Sequence, residues 1–128
     1  MDGMSRKLAD FRGKHVLLDF WGTWCGPCVR DLPDLKALRE EVEARGFEII
    51  GMDLEHDKSA ADVKAFLAER KVAWPNASPD SVRDLIQNRF RIMEFPTLIL
   101  LDPHGRVLAV AGDAHLIIPL VQRALQKR

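Results

Sequence analysis

The 128-residue sequence has only two cysteines, no net charge and no long apolar run. Each shortage excludes something. Without an apolar stretch approaching the ~20 residues that cross a bilayer, no membrane contact is expected from this segment. The 19 basic residues are matched by 19 acidic ones and form no basic stripe, so nucleic acid is not an expected partner. Two cysteines cannot complete a four-thiolate zinc site. His15, His56, His104 and His115 stand apart from the cysteines and from one another, so no metal is expected. No glycine-rich nucleotide loop occurs, which argues against a flavin or nicotinamide cofactor. Repeats, low-complexity tracts and linkers are also missing.

What is present is ordinary globular composition. Hydrophobic residues make up 47% and charged residues 30%, enough apolar surface to exclude whole-chain disorder. The length suits one domain, expected to be monomeric. Met1-Asp2-Gly3-Met4 lacks an apolar core and a small-residue cleavage site. Residues 1–7 are therefore expected to be a leader or N-terminal extension, and 8–128 the domain.

His15-Val-Leu-Leu-Asp-Phe-Trp21 reads as a buried strand between Gly13 and Gly22. From Val29 to about Arg45, Leu32, Leu35, Leu38 and Val42 recur at helical spacing; Pro33 should kink or interrupt that helix, and Gly46 ends it. Phe47 to Leu54 reads as a second strand, parallel to the first. Ser59 is a candidate N-cap for a helix carrying Val63, Phe66 and Leu67. A helix carrying Val82, Leu85 and Ile86 is expected after Pro79. Leu98–Leu101 and Arg106–Ala111 form an antiparallel pair across the Asp102-Pro103-His104-Gly105 turn. A last helix runs from about Ala114 to Lys127, with Pro119 expected in its first turn or displacing its start. The order predicts an α/β three-layer sandwich: a mixed sheet, with a parallel pair and an antiparallel hairpin, flanked by helices.

The two cysteines sit together as Cys25-Gly26-Pro27-Cys28. A bridge over so short a loop removes little unfolded-chain entropy, so stapling is a poor reason for it. A redox dithiol remains. A thiolate attacks disulfides, and free cysteine ionises near 8.5. Cys25 precedes a predicted helix, whose unpaired N–H groups and dipole favour a negative sulfur. Cys25 is thus the expected nucleophile, and Cys28, one turn inward, the resolving thiol. Pro27 is pre-set for a first helical turn, and Gly26 should leave Cys25 uncovered. Asp19, on the preceding strand, would have a raised pKa if buried and could then accept the Cys28 proton; a solvent-facing or backbone-capping role is the other reading.

Here the chain resembles the thioredoxin superfamily. Asp19-Phe20-Trp21-Gly22-Thr23-Trp24-Cys25-Gly26-Pro27-Cys28 is close to its active-site signature, and Pro33 falls at its kinking proline. Phe95-Pro96-Thr97 is similar to its cis-proline motif. Residues 9–14, Thr23-Trp24 and the 102–106 hairpin resemble the TlpA/ResA/DsbE-like branch of membrane-tethered or periplasmic thiol–disulfide oxidoreductases. Asp19, where that branch commonly has Asn, matches cytosolic-type thioredoxins, and Phe95 is bulkier than the usual residue before the proline.

The resemblance implies a functional Asp19 and a cis bond at Pro96, with the Phe95 backbone offered to a client strand. It implies a substrate groove drawn from Trp24, Gly26, Pro27, Phe95, Thr97 and Gly112. Trp21 either packs beneath the motif or is plain core. Glu55 is a candidate acid beside the dithiol, in competition with Asp53 and Asp57, although a solvated loop charge is the favoured reading for it. The implied activity is disulfide exchange with a client protein, as a reductant fed by a dithiol donor protein, possible roles including cytochrome c maturation. The implied location is extracytoplasmic. A cytoplasmic general thioredoxin, and a client-binding module with little redox turnover, are the alternatives.

Overall fold

The computed structural model describes residues 11–55, 58–77, 84 and 88–126. The expected 1–7 extension, the expected helix carrying Val82, Leu85 and Ile86, and Asp57 lie outside them. Strand β1 (His15–Trp21) leads into helix α1 (Gly26–Val42), which passes through a 3-10 turn (Glu43–Arg45) to β2 (Phe47–Asp53). Helix α2 (Ala60–Glu69), a short β3 (Asn76–Ala77), β4 (Thr97–Leu101), β5 (Val107–Ala111) and α3 (Ala114–Gln126) follow. Among the described residues the sheet has five strands, ordered β3-β2-β1-β4-β5. β1 runs parallel to β2 and antiparallel to β4, and β4 and β5 form the antiparallel hairpin.

β1 is central and covered on both faces, which is why its sequence is almost continuously apolar rather than alternating. Leu17 joins Ile49, Leu98 and Leu100 against Leu32, Leu35 and Leu38 of α1 and Ile117 and Val121 of α3. Val16, Leu18 and Phe20 face the other way, with Ile50, Met52 and Ile99. Asp19 therefore points to the same side as Leu17, toward α1. Both directions are buried, so alternation along the strand could not by itself decide whether Asp19 met water.

Three boundaries differ from expectation. Of the kink or break expected at Pro33, the break is absent: α1 is continuous from Gly26 to Val42 with Pro33 inside it. Pro119 is the sixth residue of α3, and not in the first turn: Ala114, Ile117, Val121 and Leu125 form a buried stripe whose packing holds the helix although Pro119 cannot donate to the His115 carbonyl. The two-residue β3 was not expected. It pairs Gly51 with Asn76 and Met52 with Ala77, and is too short to leave a period. The Ser59 cap is formed, with Ser59 Oγ accepting from the Asp62 N–H at 3.1 Å and Asp62 Oδ2 accepting from the Ser59 N–H.

Candidate active site

The chain leaves β1 at Trp21 and turns through Gly22-Thr23-Trp24. The Cys25 N–H donates to Gly22 O at 3.1 Å, closing the turn. Cys25 is then the N-cap of α1, in an extended conformation, and its Sγ accepts the Cys28 N–H at 3.2 Å. The sulfur thus takes the capping place usually held by a serine or aspartate oxygen. The first turn, Gly26-Pro27-Cys28-Val29, contains no acidic side chain to compete for those N–H groups. Cys25 and Cys28 are joined as a disulfide.

Both sulfurs are buried. Gly26 faces open space, yet Cys25 is only 5% exposed, so the glycine does not leave it uncovered in this oxidised form. The reason is packing from the other sides. Trp21, Val63 and Leu67 cluster with the two cysteines, and Phe95 packs against that cluster. Trp21 accordingly lies beneath the motif, its Nε1 donating to Asn76 Oδ1 at 2.9 Å. A side chain at Gly51 would collide with that Asn76 oxygen. Trp24 is 46% exposed and meets Phe95 edge to face with ring centres 5.3 Å apart. Its Nε1 donates to Leu54 O at 2.6 Å, an approach that needs Gly22 to lack a side chain. The Phe95–Pro96 bond is cis. Thr97 opens β4, donating its hydroxyl to Glu94 O at 2.7 Å. Thr97 and Gly112 share a shallow groove with Met93 and Val110, while Trp24 and Phe95 meet at the dithiol.

Asp19 is 2% exposed. Its Oδ2 has no hydrogen-bond partner among the described residues. Burial, and secondarily the charge of Asp31, push its pKa up to about 8. Asp31 was not singled out from sequence. It lies one turn beyond Cys28 on α1, and its Oδ2 accepts the Ala114 N–H at 3.0 Å, tying α1 to the start of α3. Burial raises its pKa as well. The signal that could have found it was its i+3 spacing from Cys28.

The second acidic group is at the end of β2. Glu55 is not a solvated loop charge: it is 4% exposed. Its Oε2 accepts the Thr23 N–H at 2.7 Å, and its Oε1 accepts the Thr23 hydroxyl at 2.8 Å. The carboxylate therefore grips the turn two residues before Cys25. Burying that charge is tolerable because these donors replace water. Neighbouring Asp53 is 3% exposed, and its pKa is raised by burial first, then by hydrogen bonding to and the charge of Glu55. No local pattern around Thr23 announces a bond across 32 residues.

Among the described residues no group of three His, Cys, Asp or Glu side chains could hold a metal ion, and no helix is long and apolar enough to cross a membrane.

A thioredoxin-like family profile matches residues 13–107. The chain is 34% identical over 108 residues to the thiol-disulfide oxidoreductase ResA of Bacillus thuringiensis subsp. konkukian, covering 84% of this chain and 60% of that protein. It thus spans about three fifths of the length of the curated relatives it matches. It superimposes on the thioredoxin domain of a thiol-disulfide oxidoreductase from Bacteroides vulgatus with a TM-score of 0.82 and 31% identity, covering 92% of this chain and 84% of that one. A thiol:disulfide interchange protein from Bacteroides sp. aligns with a TM-score of 0.80 and 32% identity, over 93% and 78% of the respective chains.

Proposed function

From the premise that the chain belongs to the thioredoxin-like family, we propose that it is a thiol–disulfide oxidoreductase acting on partner proteins through Cys25 and Cys28. The carrying observation is the Cys25 sulfur at the N-terminus of α1, accepting the Cys28 N–H. A thiolate in that place is stabilised by the same N–H groups and helix dipole.

The reaction balances as two exchanges. In the reduced protein the Cys25 thiolate attacks one sulfur of a client disulfide. A mixed disulfide forms, and the other client sulfur leaves as a thiolate and takes up a proton. Cys28 then gives up its proton and attacks the Cys25 sulfur. The second client thiol is released and the Cys25–Cys28 disulfide closes. Two electrons pass to the client, and a dithiol donor protein returns them. Asp19 is assigned as the acceptor of the Cys28 proton. Its burial beneath α1 and its raised pKa near neutrality support this, since such a carboxyl can both take and return a proton. Glu55 is assigned as a positioning residue: its oxygens accept from the Thr23 N–H and hydroxyl, and it also hydrogen-bonds Asp53.

Gly26-Pro27 between the cysteines favours the reducing direction by resemblance. The TlpA/ResA/DsbE-like features of residues 9–14, Thr23-Trp24 and 102–106 favour an extracytoplasmic setting, with cytochrome c maturation among the candidate tasks. Pro96, Phe95, Trp24, Gly26 and Pro27 are assigned to the client surface next to the sulfurs, and Thr97 and Gly112 to its extension along the shared groove.

Insulin reduction with a chemical dithiol as donor tests the assignment. Cys25→Ser abolishes turnover, whereas Cys28→Ser accumulates a mixed disulfide on Cys25. Undiminished turnover by Cys25→Ser would reject the reading. A glutathione titration of the dithiol decides direction: a potential near the roughly −270 mV of thioredoxin supports a reductant, and one near −120 mV an oxidant.

A further inference from the structure

Trp21 is the large ring of the cluster that holds Cys25 and Cys28, together with Val63 and Leu67, and it is 1% exposed. Its one polar group, the indole N–H, donates to Asn76 Oδ1 at 2.9 Å, across 55 residues of sequence. The Asn76 amide is itself held, its Nδ2 donating to Trp74 O at 3.4 Å. Its backbone is held as well. β3 pairs Asn76 with Gly51, and the Gly51 N–H donates to Pro75 O at 2.8 Å. An added Cβ at Gly51 would strike the Asn76 amide and crowd the indole nitrogen. The two-residue strand and the glycine opposite it therefore converge on one contact, between Asn76 and the ring beneath the sulfurs. Phe66 also packs on that ring, with ring centres 6.1 Å apart.

We propose that Asn76 is a positioning residue for disulfide exchange: by holding the Trp21 indole as a dry floor, it favours the Cys25–Cys28 disulfide over the dithiol and keeps the pair a reductant. The inference rests on the exchange function proposed for Cys25 and Cys28, and adds what sets its equilibrium. A disulfide is uncharged and loses little on an apolar floor. The Cys25 thiolate formed on reduction needs donors or water. With its N–H engaged by Asn76, the indole has no donor left for the sulfur. Without the acceptor at position 76 that N–H is released. The space left by the amide also opens onto the cavity that Asn76 lines with Val63, Leu67 and Trp74, admitting water beside the ring. Both changes stabilise the thiolate, and a dithiol whose reduced form is stabilised is a stronger oxidant. Satisfying a buried indole N–H is also an ordinary structural duty. That duty alone stabilises both redox states equally and leaves their equilibrium unmoved.

The test is a glutathione titration of the 128-residue chain, with indole N–H resonances and urea unfolding measured alongside. In Asn76→Ala the Trp21 resonance moves while that of Trp24, bonded elsewhere, stays. The equilibrium shifts roughly threefold or more toward the dithiol, the scale of one neutral hydrogen bond made in one state only. The Cys25 thiol pKa, read from thiolate absorbance, falls with it. In the Trp21→Phe background, which has no N–H to hold, Asn76→Ala no longer shifts the equilibrium. Gly51→Ala, whose methyl displaces the same amide, reproduces the shift and stands in should Asn76→Ala not fold. A smaller shift in the folded variant, a shift toward the disulfide, or an equal shift in the Trp21→Phe background overturns the proposal. Insulin reduction by the wild type tests the exchange function itself, so either can fail without the other.

Discussion

Asp19 and Glu55 are both almost completely buried, yet they are built for different work. Asp19 projects from the middle of β1 toward α1, with one oxygen unpartnered among the described residues. Glu55 follows β2 and has its oxygens engaged by the Thr23 N–H and hydroxyl. Burial alone does not assign a role to an acid. An unmatched carboxyl favours its neutral form and is available to carry a proton. A carboxyl gripped by two donors is a structural clamp on the turn that supplies them.

The largest effect that could break this contrast is catalytic. Asp19→Asn should slow insulin reduction at pH 7 by roughly tenfold or more, with mixed disulfide accumulating, because general-base assistance contributes on the order of 10²–10⁴. Glu55→Gln should change turnover only a few-fold. Equal losses in the two variants would erase the distinction.

The next effect is on stability against pH. The Asp19 pKa is raised in the folded protein from 3.8 to about 8. Between those values the folded state holds a proton that the unfolded state has lost, so stability declines as pH rises. The decline should reach about 1.4 kcal/mol per pH unit between roughly pH 4 and 8, measured by urea unfolding at several pH values. Asp53, shifted in the same direction, adds to it. Asp19→Asn should flatten the profile and raise stability at the alkaline end. An unchanged slope in that variant would remove Asp19 as its source.

Glu55→Gln sharpens the other side of the contrast. A glutamine keeps the Thr23 N–H on its amide oxygen and turns its NH2 to the Thr23 hydroxyl oxygen, so both contacts survive but lose their charge-assisted character. A destabilisation of roughly 1–3 kcal/mol is expected from the midpoint of urea unfolding. The smallest effect belongs to Trp24→Phe. It keeps an aromatic ring beside Phe95 but removes the N–H donated to Leu54 O, and should cost about 1 kcal/mol in the same measurement.

The same contrast explains what could be read in advance. Asp19 was legible as a candidate because it is a lone charge in an apolar strand, six residues before Cys25. Glu55 was misread as a solvated loop charge because its partners are 32 residues away in sequence. For Asp31 only the spacing from Cys28 is local; the Ala114 bond that buries it spans 83 residues. β3 escaped because two residues carry no period, and Pro119 was placed one turn too early because propensity rules see the ring but not the packing that offsets it.

Local chemistry was determined by the sequence itself. The apolar run of β1, the helical stripe of α1, the Ser59 cap, the hairpin turn and the Cys25-Gly26-Pro27-Cys28 spacing all act over a few residues, and short-range sterics and hydrogen bonding fix them wherever the chain goes. Tertiary structure alone decided which charges lose water, which of them regain donors, and what stands behind the sulfurs. Burial and pairing depend on residues brought together by the closing of the sheet, and no window along the chain contains both partners.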